Sequence, residues 1–198
     1  MLEIYLPAIL LEIPRNIVTA IGLPLCLGIL SGSGTAKVVK SNWYKASTSY
    51  VFAKASLIIS KDLHGPPGRP PRQVFPIVWP LLYLSMGYVS HLAVNALDAT
   101  SSPSTRSDVK LGIALYYAQL AMNFIWSPLF FNGKKLGLAL IDSVVLAGTT
   151  FYMTKLLDGP TKSQSTYLLL PYCAWLTFAT YLNGGIWWLN RGRTPEKD

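Results

Sequence analysis

The stretch Ala114–Phe131, ALYYAQLAMNFIWSPLFF, decides how this chain folds. It is apolar along almost its whole length, and with the residues before it the stretch is long enough to cross a hydrocarbon core, which takes about 20 residues as a helix. Tyr116, Gln119, Asn123 and Trp126 lie within an arc of roughly 80° on such a helix. Lipid is a poor partner for the two amides, so this face is predicted to point into a helix bundle.

Similar apolar segments recur along the rest of the chain. Hydrophobic residues make up 51% of the sequence and charged residues 13%, whereas soluble domains carry about a quarter charged residues. We therefore predict an all-α integral membrane protein, a five-transmembrane-helix bundle that forms one domain over residues 1–198. The predicted helices cover about residues 6–30, 74–97, 109–131, 136–157 and 167–190. Kinks are expected in the first of these, at Pro7, Pro14 and Pro24.

The charge distribution predicts the orientation of the helices. Residues 31–72 form a long basic loop that holds seven Lys and Arg residues against one acid, and Lys134, Lys135 and the tail 191–198 add positive charge on the same side of a five-helix bundle. The positive-inside rule then places the C-terminus in the cytosol. The same rule accounts for the net charge of +8, so nucleic-acid binding is not expected.

Two further segments present aromatic faces. In the fifth segment Tyr172, Trp175 and Asn183 fall within about 100° of arc, and in the second Trp79 and Tyr83 are four residues apart on one face. Such faces suit a pocket with aromatic walls and a few polar groups. The alternative is that the amides and tyrosines only hold the helices together by hydrogen bonds.

Residues that could carry other chemistry are sparse. Cys26, Cys173, His64 and His91 show no metal-ligand or disulfide spacing, and no nucleophile and base are suitably placed, so neither a metal, a catalytic set nor a required cofactor is expected. Two further features lie within apolar segments. Glu12 and Arg15 are predicted to form a structural pair, while Asp142 could serve either structure or ligand contact.

Several blocks together resemble the translocator protein family, also called the tryptophan-rich sensory protein or peripheral benzodiazepine receptor family. They are PPRQVFPIVWPLLYLSMGY from Pro70, ALYYAQLAMNFIWSPLFF from Ala114 and PYCAWLTFATYLN from Pro171, with a WY pair at Trp43 and Tyr44 and ALID at Ala139. The similarity covers nearly everything from Trp43 to Asn190.

This resemblance implies a five-helix bundle, often a homodimer, in the mitochondrial outer membrane. It implies binding of porphyrin or haem, sterol, or benzodiazepine-type compounds in a pocket that the first loop covers as a lid. That loop is about 15 residues longer here than in the family. Carried over by position, with Tyr83 and Asn123 added from the faces described above, the pocket residues are Pro76, Val78, Trp79, Tyr83, Asn123, Trp126, Leu129, Trp175, Ala179, Leu182 and Asn183.

Three functions are consistent with these features. The first is a membrane receptor or carrier in which Trp79, Trp126 and Trp175 stack on a flat apolar ligand such as a tetrapyrrole. The second is light-dependent oxidative degradation of porphyrin, which the resemblance implies from some bacterial members of the family that use two pocket tryptophans corresponding to Trp79 and Trp175. The third is a structural membrane scaffold. We expect a binding protein rather than an enzyme.

Overall fold

A computed structural model describes residues 5–39 and 65–191, and this part of the chain is almost entirely helical. One 3₁₀ turn, Arg72–Val74, and one π-helical turn, Pro128–Asn132, separate or extend the α-helices. The helices are α1 Ala8–Arg15, α2 Ile17–Val39, α3 Phe75–Ala99, α4 Pro103–Ser127, α5 Leu136–Asp158 and α6 Gln164–Asn190.

Two of these helices, α3 and α5, are long and apolar enough to cross a membrane, and α1 with the first part of α2 makes a third if the bent pair is one span. The predicted all-helical membrane fold is confirmed at this level, whereas the count of five spans is not. Helices α4 and α6 have 25 and 27 residues, so they are long enough at 1.5 Å per residue. They are less apolar because α4 begins with PSTRSD and both helices carry polar residues that face each other.

The first predicted helix, about 6–30, is two helices in the structure, which bend by 104° at Asn16. Asn16 has an extended backbone, and its side-chain oxygen accepts a 2.8 Å hydrogen bond from the Val18 amide. This is the geometry of a residue that caps a new helix. Pro14, two residues earlier in α1, has no N–H to donate to the Leu10 carbonyl, which accepts from the Tyr117 hydroxyl instead. The kink expected at the prolines is therefore a complete break.

The predicted loop 31–72 also begins later than expected. Helix α2 continues to Val39, and no proline interrupts residues 31–39. Ser31 is tied to the bundle by a 2.7 Å hydrogen bond from its hydroxyl to that of Ser127. Residues 40–64, with Trp43 and Tyr44, and the tail 192–198 lie outside the described residues.

Helix α1 lies across one end of the bundle. The Tyr117 hydroxyl donates to the Leu10 carbonyl at 2.9 Å, and His91 Nδ1 lies 2.8 Å from the Pro14 carbonyl oxygen. A carbonyl only accepts, so Nδ1 carries the proton, and in the neutral ring Nε2 accepts from Asn95, 3.0 Å away. His91 thus has a structural role.

The predicted pair of Glu12 and Arg15 is present, and Arg15 also reaches α3. Its guanidinium donates to both carboxylate oxygens of Asp98, at 3.1 and 3.0 Å. All three side chains are well exposed. Ion pairs of this kind contribute little to stability, so the backbone contacts of α1 do more to hold it in place.

Helix α3 lies in the middle of the bundle, since it packs against α2, α4 and α6, while α5 packs most extensively against α4 and α6. The main core lies where α3, α4, α5 and α6 meet, around Met86, Ile113, Met153 and Tyr172. The outer surface is also apolar: Leu81, Phe124, Ile141, Val145, Leu170 and Trp188 are among many large hydrophobic residues that are exposed. Apolar contacts inside and apolar side chains outside are what a helix bundle in lipid requires.

Helices α2 and α3 approach each other closely at Gly87. A Cβ atom there would lie 2.7 Å from the Ala20 carbonyl oxygen and 2.8 Å from the Ile21 Cα atom. Both are backbone atoms, so relief would require the two helices to separate. The absence of a side chain at Gly87 therefore sets the distance between these helices.

We expect Gly87→Ala to lower the free energy of unfolding by about 1 to 2 kcal/mol, because overpacking costs about 1 to 3 kcal/mol and the better helix propensity of alanine returns up to about 1 kcal/mol. Unfolding of the purified protein by sodium dodecyl sulfate in mixed micelles, followed by far-ultraviolet circular dichroism, measures the change. Gly148→Ala is the control, since a Cβ at Gly148 meets nothing within 4 Å. Equal effects of the two substitutions would contradict the proposed contact.

Candidate functional site

A chain of hydrogen bonds crosses the centre of the bundle. Tyr83 on α3 donates to Asn123 Oδ1 on α4 at 2.9 Å, and Asn123 Nδ2 lies 3.0 Å from the Tyr172 hydroxyl on α6. That hydroxyl donates to Gln119 Oε1 at 2.8 Å, and Gln119 Nε2 lies 3.7 Å from Met86 Sδ. The chain therefore runs through three helices in one donor-to-acceptor direction.

The predicted inward face of α4 is confirmed by this chain. Gln119 and Tyr172 have 0% of their surface exposed, and Asn123 is also buried. Hydrogen bonds in sequence polarise one another, and a fully paired network inside an apolar bundle favours one arrangement of the helices. These contacts therefore support the interpretation that the amides and tyrosines hold the helices together.

Aromatic rings form a wall between α3 and α6, beside this chain. The Trp79 and Trp175 rings meet edge to face with centroids 6.4 Å apart, and Trp175 meets Phe75 in the same way at 5.7 Å. Trp79 also lies 5.5 Å from Tyr83, and Phe178 lies 5.9 Å from Trp175. Two of the predicted pocket tryptophans are therefore in direct contact, and one of them touches the first residue of the hydrogen-bond chain.

An open groove of 550 Å³ follows the same helix pair on the outside of the bundle. Volumes of this size are typical of small-molecule sites, which are mostly apolar with few polar groups. Of the predicted pocket residues, Val78 and Trp175 line it. The full lining is Val78, Leu81, Leu82 and Ser85 from α3 and Pro171, Ala174, Trp175 and Phe178 from α6.

Trp126 belongs to a different cluster. Its ring stacks on Phe130 at 4.9 Å and meets Phe131 edge to face at 5.8 Å. Leu129 packs in the same cluster, with Ile186 of α6. Within the described residues Trp126 makes no ring contact with Trp79 or Trp175. A single pocket shared by all three tryptophans stays a prediction.

Several polar side-chain atoms of α4, α5 and α6 are buried without a partner among the described residues. Asn183 has 2% of its surface exposed, and neither its Oδ1 nor its Nδ2 makes a hydrogen bond. The indole nitrogens of Trp175 and Trp126 and one oxygen of Asp142 are in the same condition. A buried amide without partners is costly, so Asn183 is a candidate for a polar contact with a ligand.

The other predicted pocket residues differ in exposure. Pro76 is exposed in the first turn of α3, while Ala179 and Leu182 are half-buried on α6. Within residues 5–39 and 65–191, His, Cys, Asp and Glu form no group of three that could hold a metal ion.

Sequence reasoning missed two features of this region. One is Phe178, which shares a helix face with Trp175 at a spacing of three residues and could have been found from that spacing. The other is the segment that precedes α3. A Cβ on Gly185 of α6 would overlap the ring of Pro66, and Tyr181 donates to the Pro67 carbonyl at 3.2 Å. The end of the long loop is thus packed on the second half of α6.

Fold and site together define a helical membrane protein with an apolar exterior, a buried polar chain and an aromatic wall between two helices. The model of the TspO/MBR family matches residues 20–189, and the chain belongs to this family.

Proteins of known name are similar over most of the chain. A translocator protein homolog of Schizosaccharomyces pombe is 39% identical over 77% of this chain and 94% of its own length. The translocator protein of Homo sapiens is 37% identical over 68% and 79%, respectively. The tryptophan-rich protein TspO of Chlorobaculum tepidum is 30% identical over 86% and 92%.

Proposed function

We propose that this protein is a membrane receptor or carrier that binds flat hydrophobic ligands, of the tetrapyrrole, sterol or benzodiazepine type, between α3 and α6. The observation that carries the proposal is that Trp175 lines a groove of 550 Å³ and also contacts Trp79. Indole rings offer a large apolar surface for a flat ligand and an N–H group for its polar edge. The indole nitrogen of Trp175 is buried without a hydrogen-bond partner among the described residues, so a small rotation of this ring would offer it to a ligand.

Relatives from animals and yeast carry the name translocator protein, which supports a carrier function for this chain as well. We further propose that all five helical spans cross the membrane, with α4 and α6 turning their polar faces to each other. The C-terminus would lie in the cytosol, because the basic residues before α3, before α5 and after α6 share one side. By family resemblance, the membrane is the mitochondrial outer membrane and the protein a homodimer.

Asn183 allows a sharp test, since a ligand contact and a structural brace predict opposite results. If it serves the ligand, Asn183→Leu removes an unpaired buried amide and should stabilise the protein by about 1 kcal/mol. The same substitution should weaken protoporphyrin binding about fivefold, the worth of one hydrogen bond. Titration of protoporphyrin into purified protein, followed by its Soret band, measures the affinity, and unfolding by sodium dodecyl sulfate measures the stability.

Asn123→Leu is the matched control, because Asn123 has partners for both side-chain atoms. This variant should be less stable than the wild type. Asn183→Leu with unchanged protoporphyrin affinity would remove Asn183 from the site. Failure of the wild type to bind protoporphyrin and cholesterol alike would overturn the receptor proposal and leave a structural scaffold.

A second function, oxidative porphyrin degradation, is favoured by one specific observation. The rings of Trp175, Trp79 and Tyr83 follow one another at 6.4 and 5.5 Å, so an electron could pass from one to the next. Illumination of the protein with protoporphyrin in air should then produce a new pigment, and Trp79→Phe or Trp175→Phe should abolish it. Trp188→Phe, at the exposed end of α6, should leave it unchanged. No new absorption band in the wild type would reject this function.

A further inference from the structure

A second groove, of 620 Å³, lies between the start of α5 and the end of α6. It is separate from the groove beside Trp175, with which it shares no residue. Its walls are apolar, and a single charged residue stands among them. The lining residues are Lys135, Leu136, Gly137, Leu138, Leu140, Ile141 and Trp187.

Gly137 and Trp187 shape this groove. A Cβ at Gly137 would lie 3.2 Å from the indole nitrogen of Trp187, so the glycine lets the indole lie close against the first turn of α5. Leu138 and Ile141 are more than half exposed beside it. Tryptophan at the end of a membrane helix is typical of the boundary between lipid tails and headgroups, so the groove would open where both are within reach.

The charges at this end of the groove are positive. Lys135 directly precedes α5, and the turn that presents it is fixed by hydrogen bonds from its amide to the Leu129 carbonyl, at 3.0 Å, and from the Gly133 amide to the Pro128 carbonyl, at 2.8 Å. Arg191 lies 3.2 Å above the ring of Trp188, next to Trp187. The first turn of α5 contains no acidic residue and no side chain caps it, so its backbone N–H groups add partial positive charge.

We propose that this groove binds one anionic phospholipid, with an acyl chain along Leu136, Leu140 and Ile141 and the phosphate at Lys135. An apolar channel that ends at fixed positive charge matches a molecule with an apolar tail and an anionic head. A sterol has the apolar body without the charge, and phosphatidylcholine has a head without net charge. Each basic residue near a membrane surface contributes about a fivefold preference for anionic lipid, so the preference should depend on Lys135.

Native mass spectrometry of the purified full chain can test the site, by titration with phosphatidylglycerol and, separately, with phosphatidylcholine of the same acyl chains. The wild type should retain one phosphatidylglycerol with at least about fivefold preference. Lys135→Gln should reduce this preference about fivefold, whereas Lys155→Gln, which removes the same charge at the other end of α5, should not change it.

A second pair of variants tests the apolar part. Ile141→Trp places a large ring in the groove and should weaken phosphatidylglycerol retention at least threefold, while Val145→Trp, one turn further along α5 and also exposed but outside the groove, should not. Equal retention of the two phospholipids by the wild type, or equal effects of Lys135→Gln and Lys155→Gln, would overturn the proposal. Displacement of phosphatidylglycerol by equimolar cholesterol would assign the groove to a sterol instead.

Discussion

Tyr172→Phe is expected to lower the free energy of unfolding by about 2 to 4 kcal/mol. The substitution keeps the ring and removes a hydroxyl that holds two neighbours at once, Asn123 and Gln119. Hydrogen bonds between membrane helices contribute up to about 2 kcal/mol each, and a buried group that loses its partner has no water to replace it. Unfolding by sodium dodecyl sulfate in mixed micelles measures the effect.

Tyr167→Phe is the control for this prediction. It removes the same hydroxyl from the first turn of the same helix, where Tyr167 is 78% exposed. Its effect should stay below about 0.5 kcal/mol, as for exposed positions in general. Losses of similar size in the two variants would show that the hydrogen-bond chain does not stabilise the bundle.

The sequence predicted the face of α4 correctly because the reasoning needed only one helix. An amide in a long apolar helix has to turn away from lipid, and the 100° rotation per residue then places Gln119 and Asn123 together. Their partners could not be predicted this way. Periodicity gives the direction of a side chain about its own axis, whereas Tyr83 and Tyr172 are partners because α3 and α6 sit at particular heights and distances.

The same limit explains the different environment of Trp126. A regular helix places Trp126 on the same face as Asn123. Apart from Pro128, the sequence gives no sign of an irregular turn. The structure has a π-helical turn at Pro128–Asn132, which adds a residue to the turn and rotates the residues after it. Phe130 and Phe131 thereby lie against the indole of Trp126. The ring neighbours of Trp126 could therefore not be predicted from the sequence, while a pocket shared by the three tryptophans stays a prediction.

The sequence predicted a distortion in the first helix but not the complete break. Three prolines predicted distortion between residues 6 and 30, but prolines in membrane helices produce anything from a slight bend to an end. The helix ends at Asn16 because the side chain of this residue bonds the amide of Val18 and starts α2 in a new direction. The sequence feature that could have predicted this break is Asn16, two residues after Pro14. The length of the apolar segment gave no sign of it.

Trp175→Ala should weaken protoporphyrin binding by about 30- to 150-fold, the loss of about 2 to 3 kcal/mol that removal of a central aromatic contact brings. We expect this large effect on affinity because Trp175 contacts Phe75, Trp79 and Phe178 and also lines the groove of 550 Å³. Its loss would leave the neighbouring rings without the edge contacts that orient them toward a ligand. The Soret-band titration gives the affinity, and far-ultraviolet circular dichroism establishes that the variant is folded.

Trp188→Ala provides the comparison, since it removes the same side chain from the exposed end of α6, where the ring lies under Arg191. Protoporphyrin affinity should stay within about twofold of the wild type, because a contact outside the site carries little of the binding energy. Trp175→Phe should fall between the two, since phenylalanine keeps part of the ring area and loses the indole N–H. An affinity of folded Trp175→Ala within about threefold of the wild type would contradict binding between α3 and α6. The separate cluster around Trp126 would then be the next candidate site, since the indole nitrogen of Trp126 is also buried without a partner among the described residues.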